Sequence, residues 1–202
     1  MTAEQKKMKG EAITEAHPLP PFLPENAKVL MLGSFPPPKA RWSMDFYYPN
    51  FQNDMWRIIG KVFFNDKDHF VMPNERRFDL EKVTTFCSTE GIALYDTAQK
   101  VRRLNADASD KFLEIVEATD IAAMLKELPA CRHIIVTGQK AAETLAATLS
   151  CAVPAVGETV FVEVLDKKIC VWRMPSSSRA YPLNFEAKAK TYAEAFRQIE
   201  AH

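Results

Sequence analysis

Short apolar runs recur along this chain, and each one ends at a turn-like loop. Four of them are interpreted as buried strands, at residues 27–32, 91–96, 133–137 and 168–173. Apolar residues at helical spacing fill several of the intervening stretches, most clearly residues 53–64. Alternation of strands and helices is typical of a parallel sheet with helices on both faces. The sequence therefore predicts an α/β fold, a three-layer α/β/α sandwich with a central, mainly parallel four-stranded sheet.

The other patterns add a hairpin, further helices and a domain boundary. Residues 160–165 and 168–173 each have an alternating pattern typical of a strand, and only two residues separate them, which predicts a hairpin. We expect helices at about 110–118, 119–128, 141–149 and 185–199. Residues 1–24 are expected to be a polar N-terminal extension that starts as a short helix or a frayed tail, and residues 25–202 a single domain.

Charge and cysteine content argue against several classes of function. Basic and acidic residues both number 26 in 202 residues, whereas a nucleic-acid coat protein or membrane-surface protein is usually more basic. The four cysteines are widely spaced without a C-x-x-C pair, so we expect buried free thiols rather than a metal centre. No apolar leader or membrane-spanning run is visible, and we expect a cytoplasmic protein that does not bind membranes.

Loops at the carboxyl ends of the predicted strands contain the candidate site residues. Ligands of open α/β sheets bind at this edge. The first loop begins Gly33-Ser34-Phe35-Pro36, and the last loop is Pro175-Ser176-Ser177-Ser178-Arg179. No dinucleotide-binding or P-loop glycine motif occurs at this edge, so a different ligand is expected there.

An aromatic and carboxamide-rich run, residues 46–57, follows the first loop. Tyr48 can stack on a planar base, and Asn50 and Asn53 offer donors and acceptors to a base edge. The same pattern fits an aromatic plug on the core, with an asparagine that caps the next helix. The sequence leaves both interpretations open.

Five motifs occur in an order that resembles the uracil-DNA glycosylase superfamily. They are a G-x-x-P loop, an aromatic-Pro-Asn-x-x-Asn-x-x-Trp run, a strand ending in aspartate, a strand-Gly-x-Lys-Ala-Ala segment and a Pro-Ser-Ser-Ser loop. The resemblance spans about residues 27–196. It is strongest to the mismatch-specific (thymine/uracil) and hypoxanthine-DNA glycosylase branches.

This resemblance implies a monofunctional DNA repair glycosylase. Such an enzyme flips a deaminated or mismatched base out of the duplex and hydrolyses its N-glycosidic bond. The candidate bases are uracil, hypoxanthine and thymine in a G·T mismatch. The resemblance also implies that the enzyme requires no metal or organic cofactor. Its expected partner is DNA that contains a damaged or mismatched base, and we expect the protein to be a monomer.

The resemblance also assigns roles to individual residues. Phe35 takes the place of a polar residue that orients water in several branches, and a phenyl ring cannot hold a water molecule. The hypoxanthine-type branch uses the asparagine that aligns with Asn53, so Asn53 is the catalytic candidate, with Asn50 in reserve. The implied base-binding residues are Gly33, Ser34, Phe35, Pro36 and Tyr48.

The last loop corresponds to the segment that family members insert into the duplex. Arg179 would then bond the orphaned base or a phosphate; the alternative is a surface turn whose arginine pairs with a carboxylate. Lys39 and Lys140 are candidate phosphate contacts. Asp96 is either a general base or an ion-pair partner of the nearby Arg102 or Arg103.

Two other functions stay open at this stage. Phe35 and Pro37 depart from the first family motif, which is compatible with a weak or inactive member that binds DNA or a nucleobase. The second alternative is a small-molecule hydrolase or nucleotide-binding protein, but the G-x-S-x-G elbow that would favour a hydrolase is absent.

Overall fold

Two β-sheets and five α-helices make up the described part of the chain, residues 13–104 and 112–201 of a computed structural model. In chain order the strands are β1 (Thr14–Ala16), β2 (Val29–Gly33), β3 (Ile92–Asp96), β4 (Ala98–Arg103), β5 (Leu113–Ala118), β6 (His133–Thr137), β7 (Thr159–Val164) and β8 (Lys167–Met174). The helices are α1 (Met55–Phe64), α2 (Leu80–Glu90), α3 (Ile121–Glu127), α4 (Gln139–Leu149) and α5 (Phe185–Glu200).

The central sheet has the strand order β3-β2-β6-β8-β7. Its first four strands are parallel, so the predicted fold class and its four-stranded parallel sheet are confirmed. The predicted hairpin adds β7 as an antiparallel fifth strand. Leu165 and Asp166 turn the hairpin with φ of 51° and 59°, the positive values that a two-residue type I′ turn requires.

The core lies around this sheet because its strands β2, β3 and β6 are mostly apolar. Every residue of β2, β3 and β6 is buried, as expected for parallel strands covered on both faces. Helix α2 packs on β3, α4 on β6, and α5 on both β8 and α1. Phe63 and Phe196 join α1 to α5 with ring centroids 5.0 Å apart. These contacts fix the positions of the strand ends that carry the site.

A second, antiparallel sheet of order β1-β4-β5 was not predicted. The helix expected at about 110–118 is wrong over residues 113–118, which form β5; residues 110 and 111 lie outside the described residues. Leu113 and Ile115 point to a small apolar cluster while Glu114 is exposed, which is the two-residue period of a strand. The helix expected at about 119–128 is confirmed as α3.

The N-terminal segment runs along both sheets before the first core strand. Strand β1 pairs with β4, and the His17 N–H donates to the carbonyl of Gln99 over 2.8 Å. Phe22 then exchanges two backbone hydrogen bonds with Leu94 of β3, at 3.0 and 2.9 Å. Residues 14–22 are therefore attached to β4 of the second sheet and to β3, the edge strand of the central sheet.

Candidate active site

A cavity of about 540 Å³ lies at the carboxyl ends of the parallel strands. The ends of β2, β3 and β6 contribute to its lining, together with the loop after β8 and the aromatic run. Of the sequence-predicted site residues, the lining includes Gly33, Ser34, Phe35, Pro36, Tyr48, Asn50, Asn53, Lys140, Ser176, Ser177 and Ser178. Three others, Lys39, Pro175 and Arg179, lie outside it.

Tyr48 forms a fixed aromatic wall of the cavity. Its hydroxyl lies 3.2 Å from Thr137 Oγ1, which in turn donates to the carbonyl of Leu32 over 3.4 Å. Its backbone has φ of 51°, a left-handed conformation that is rare for an aromatic residue and concentrates at functional sites. Burial raises the pKa of Tyr48, so the hydroxyl stays protonated at neutral pH.

Asp96 pairs with a residue that the sequence did not indicate. His17 Nε2 lies 2.9 Å from Asp96 Oδ2, and the two side chains are only 3% and 9% exposed. The expected pairing with Arg102 or Arg103 is wrong, because Arg102 binds Glu114 and Arg103 binds Glu15. His17 lies 79 residues from Asp96 in the sequence, so no spacing could have connected them.

Arg103 instead connects β1 to the first loop. Its Nε donates to Glu15 Oε1 over 2.9 Å, and its Nη2 donates to the carbonyl of Pro36 over 2.6 Å. The first loop is therefore held by a residue of the antiparallel sheet. A charged hydrogen bond of this kind contributes about 1.5–3 kcal/mol when it is shielded from water.

Phe35 packs mainly against apolar side chains of the second sheet. Its ring belongs to the small apolar cluster with Ala98, Val101 and Leu113, and lies 5.2 Å from the ring of His17. The first loop therefore offers its backbone to the cavity, while its phenyl side chain stabilises the second sheet.

Asn53 and Asn50 make the same local turn in front of α1. Asn53 Oδ1 accepts from the Met55 N–H and Asn50 Oδ1 accepts from the Gln52 N–H, each over 2.9 Å. Asp54, not Asn53, is the N-cap residue of α1, and its side chain makes no cap hydrogen bond. Asn53 instead bonds the first N–H of the helix from the preceding turn, and its side chain also lines the cavity. Because Oδ1 faces a backbone donor, Nδ2 is the opposite end of the amide, and it donates to no residue in the described part of the chain.

Backbone carbonyls of the serine loop, Pro175–Arg179, accept hydrogen bonds from buried groups. The Asp54 N–H donates to Ser177 O over 3.0 Å, Lys188 Nζ donates to Ser178 O over 2.7 Å, and Tyr192 Oη donates to Pro175 O over 3.0 Å. Lys188 is buried, and desolvation lowers its pKa, against the opposing effect of Asp54. The loop is therefore fixed in shape before any ligand binds.

The predicted basic contacts lie on the rim. Arg179 Nε donates to Asp54 Oδ1 over 2.7 Å, so the arginine pairs with a carboxylate in the free protein. Lys39 pairs with Asp45 and lies 3.9 Å from the centre of the Trp42 ring. Lys140 lines the cavity from the first turn of α4.

A second, more open cavity of about 420 Å³ adjoins the first. The two share Arg41 and Asn50, and the second is also lined by Trp42, Gln52 and Arg76. Neither arginine forms an ion pair with a described residue. This groove is therefore a positively charged extension of the site.

The remaining predicted features concern metals, thiols and membranes. Within residues 13–104 and 112–201, no three His, Cys, Asp or Glu side chains are grouped so as to hold a metal ion. Cys87, Cys131 and Cys170 are buried and Cys151 is partly exposed, and all four are free. Burial raises the pKa of Cys131 to about 11. The described helices include none that is long and apolar enough to span a membrane.

Comparisons with known proteins agree with the motifs. No family model matches the chain. A hypoxanthine DNA glycosylase from Methanosarcina acetivorans is 28% identical over 124 residues, which is 61% of this chain and 72% of the relative. The solution NMR structure of a candidate uracil DNA glycosylase from the same organism has a TM-score of 0.61 at 23% identity, covering 93% of this chain and 99% of the other. The predicted resemblance to the uracil-DNA glycosylase superfamily, including its hypoxanthine branch, is therefore confirmed.

Proposed function

We propose that this protein is a DNA repair glycosylase that hydrolyses the N-glycosidic bond of a deaminated or mismatched base. One observation carries the proposal: a single cavity brings together the Tyr48 ring, the Asn53 carboxamide and the Asp96 carboxylate. These groups are suited to stacking, to positioning water and to reading a base edge. A sequence relative that is named a hypoxanthine DNA glycosylase supports the same class of reaction.

The cavity has the features that a flipped base requires. Tyr48 offers a ring fixed by Thr137, and the first loop offers backbone groups beside small or apolar side chains. A base that enters exchanges stacking in the duplex for stacking on this ring. Uracil, hypoxanthine and the thymine of a G·T pair are the proposed substrates.

Asn53 is the residue proposed to position the attacking water. The bond from C1′ to the base breaks with its electron pair leaving on the base. The water oxygen then bonds to C1′ and loses a proton, which the departing base takes up. The sugar develops positive character as the base departs, so orientation of the water matters more than removal of its proton by a strong base. The contact with the Met55 N–H fixes the carboxamide for this role.

The serine loop is proposed to enter the duplex, with Arg179 at the point of entry. The loop is rigid because Lys188 and Tyr192 hold its carbonyls, so little conformational entropy is lost on insertion. Arg179 exchanges Asp54 for a phosphate or the orphaned base. Lys39, Lys140 and the groove containing Arg41 and Arg76 are proposed to follow the phosphate backbone.

The test is a panel of duplex oligonucleotides that each carry one uracil, hypoxanthine, xanthine or G·T mismatch. Excision leaves an abasic site, which alkali converts into a strand break. We expect strand breaks at hypoxanthine or uracil, and a panel without any break would refute the enzymatic proposal.

A second candidate function is a binding member of the family without turnover. The packing of Phe35 in an apolar cluster favours it, because the first loop then supplies no polar side chain at this position. Tight binding to an abasic or mismatched duplex with no strand breaks would support this alternative. We propose a monomer in either case, which light scattering of the free protein tests.

A further inference from the structure

The groove beside the main cavity carries two cations that no acidic side chain neutralises. Arg41 and Arg76 both line it, both are exposed, and none of the described residues that line it is acidic. The acidic residues closest to them in the sequence, Asp45 and Glu75, each pair with another cation. The groove is therefore suited to an anionic ligand such as a DNA phosphate.

An aromatic ring lines the same groove. Trp42 directly follows Arg41 and is partly exposed. Its Nε1–H donates to the carbonyl of Pro37 over 2.7 Å, which fixes the orientation of the ring. The Lys39 ammonium lies 3.9 Å from the ring centre, but Lys39 does not line the groove. The indole therefore keeps a surface toward the groove on which a planar ligand can stack.

Arg41 lies where the groove meets the main cavity, because it lines both, as does Asn50. One phosphate joins each nucleotide of DNA to the next, so one neighbour of a nucleotide flipped into the main cavity can reach the groove past this junction. The groove has a volume of about 420 Å³, within the range of about 300–1,000 Å³ that is usual for small-ligand sites. It therefore has room for one nucleotide beside the flipped one.

We infer that this groove is a second nucleotide site, which binds the unpaired neighbour of the flipped nucleotide in single-stranded DNA. The inference rests on the proposed function and adds single-stranded DNA to its substrates. The neighbouring base stacks on Trp42, and its phosphates bind Arg41 and Arg76.

The combination of a cationic groove with an aromatic surface favours single strands. Proteins that bind single-stranded nucleic acid use this combination, and it accepts any base because every base has a face that stacks. In a duplex the same contact requires that a second base leave the helix, which its pairing and stacking oppose. The site is therefore filled in a single strand and largely empty when the flanking base is paired.

Binding to single-stranded oligonucleotides that carry one tetrahydrofuran abasic analogue tests the inference without turnover. Three strands are compared, with both neighbouring bases present, with the 5′ base removed, or with the 3′ base removed. We expect the wild-type protein to lose about tenfold in affinity when the base on one side is removed, and little when the other is removed. Trp42→Ala should bind the intact strand about tenfold more weakly and should bind all three strands alike. Equal binding of the three strands by the wild-type protein overturns the inference.

Control variants separate stacking from phosphate binding and from a structural role of Trp42. Trp42→Phe keeps a ring but removes the donor to Pro37, and it should retain the dependence on the neighbouring base. Phe161 is an exposed ring on the edge strand β7 with a lysine ammonium 4.3 Å from its centre, and Phe161→Ala should change nothing. Arg41→Ala and Arg76→Ala should each weaken binding to all three strands and make the salt dependence of log K less steep by about 0.7. If only the arginine variants lose affinity, the groove binds phosphates alone and the inference fails.

Excision rates then compare single-stranded with duplex substrates, after thermal unfolding has checked that each variant is folded. We expect Trp42→Ala to lose about tenfold in kcat/KM on single-stranded DNA with hypoxanthine or uracil, and at most about twofold on the same sequence as a duplex. Equal losses on the two substrates overturn the inference. Binding that depends on the neighbouring base, without any excision, refutes the proposed function and leaves the second nucleotide site standing.

Discussion

Arg179 and Asp54 join the two loops of the candidate site, with Nε and Oδ1 2.7 Å apart. The Asp54 side chain is 10% exposed, whereas that of Arg179 is 51% exposed. The carboxylate is therefore fixed at the start of α1, where the charges of Arg57 and Lys188 also stabilise it. The half-exposed guanidinium can therefore turn outward without leaving the buried carboxylate uncompensated. The pair keeps a cation at the rim where a DNA phosphate is proposed to bind.

Arg179→Ala should weaken DNA binding without unfolding the protein. We expect about tenfold lower affinity for a duplex with an abasic site, and a salt dependence of log K that is less steep by about one. Arg102→Ala is the matched control, because Arg102 pairs with Glu114 on the antiparallel sheet. Fluorescence anisotropy at several salt concentrations measures both variants. Equal losses in the two would contradict a specific role for Arg179.

Asn53→Ala should affect catalysis far more than stability. Asn53 and Asn50 each accept one 2.9 Å backbone hydrogen bond, so each alanine variant should lose about 1 kcal/mol of unfolding free energy. Only Asn53 is proposed to position water, and we expect the single-turnover excision rate of Asn53→Ala to fall about 100-fold below that of Asn50→Ala. The reverse order would move the catalytic role to Asn50.

The central sheet was predictable because local patterns determine it. Each core strand is a short apolar run that ends at a small-residue loop, and parallel strands place such loops at one edge. Tyr48, Asn53 and Ser177 therefore converge although they come from distant parts of the sequence. The sequence indicated that Arg179 could pair with a carboxylate, but it could not identify the partner, because Asp54 lies 125 residues away.

The parts that were not predictable depend on tertiary pairing. Strand β5 has only one clear alternation, at Leu113 and Ile115, and its stability comes from its pairing with β4. Strand β1 has three residues, too few for a periodic signal. His17 follows this strand, and only its packing against Tyr95 and Asp96 reveals its role.

Gly33→Ala should distort the site through Asp96. The new Cβ would lie 2.5 Å from Asp96 Oδ1, closer than real Cβ contacts, so the carboxylate must shift from the position in which it pairs with His17. We expect at least about a tenfold loss of excision activity and about 1–3 kcal/mol lower unfolding free energy. Asp96→Ala removes both the clashing atom and the hydrogen bond to His17, so it should cost less stability in the Gly33→Ala background than in the wild-type protein. Additive losses in that double variant would contradict this explanation.

Lys188→Met should change how stability depends on pH. Burial lowers the pKa of Lys188 in the folded state below its ordinary value of 10.5, so in the window between the two values the unfolded chain binds more protons. Through this window the free energy of unfolding of the wild-type protein therefore rises with pH relative to that of the methionine variant. Above pH 10.5 the difference in unfolding free energy between the two proteins is constant. Denaturant unfolding at a series of neutral to alkaline pH values measures the difference. Lys190 is exposed on the same helix, and Lys190→Met is the control. If both variants follow the same pH dependence as the wild-type protein, Lys188 does not remain desolvated while it holds the serine loop.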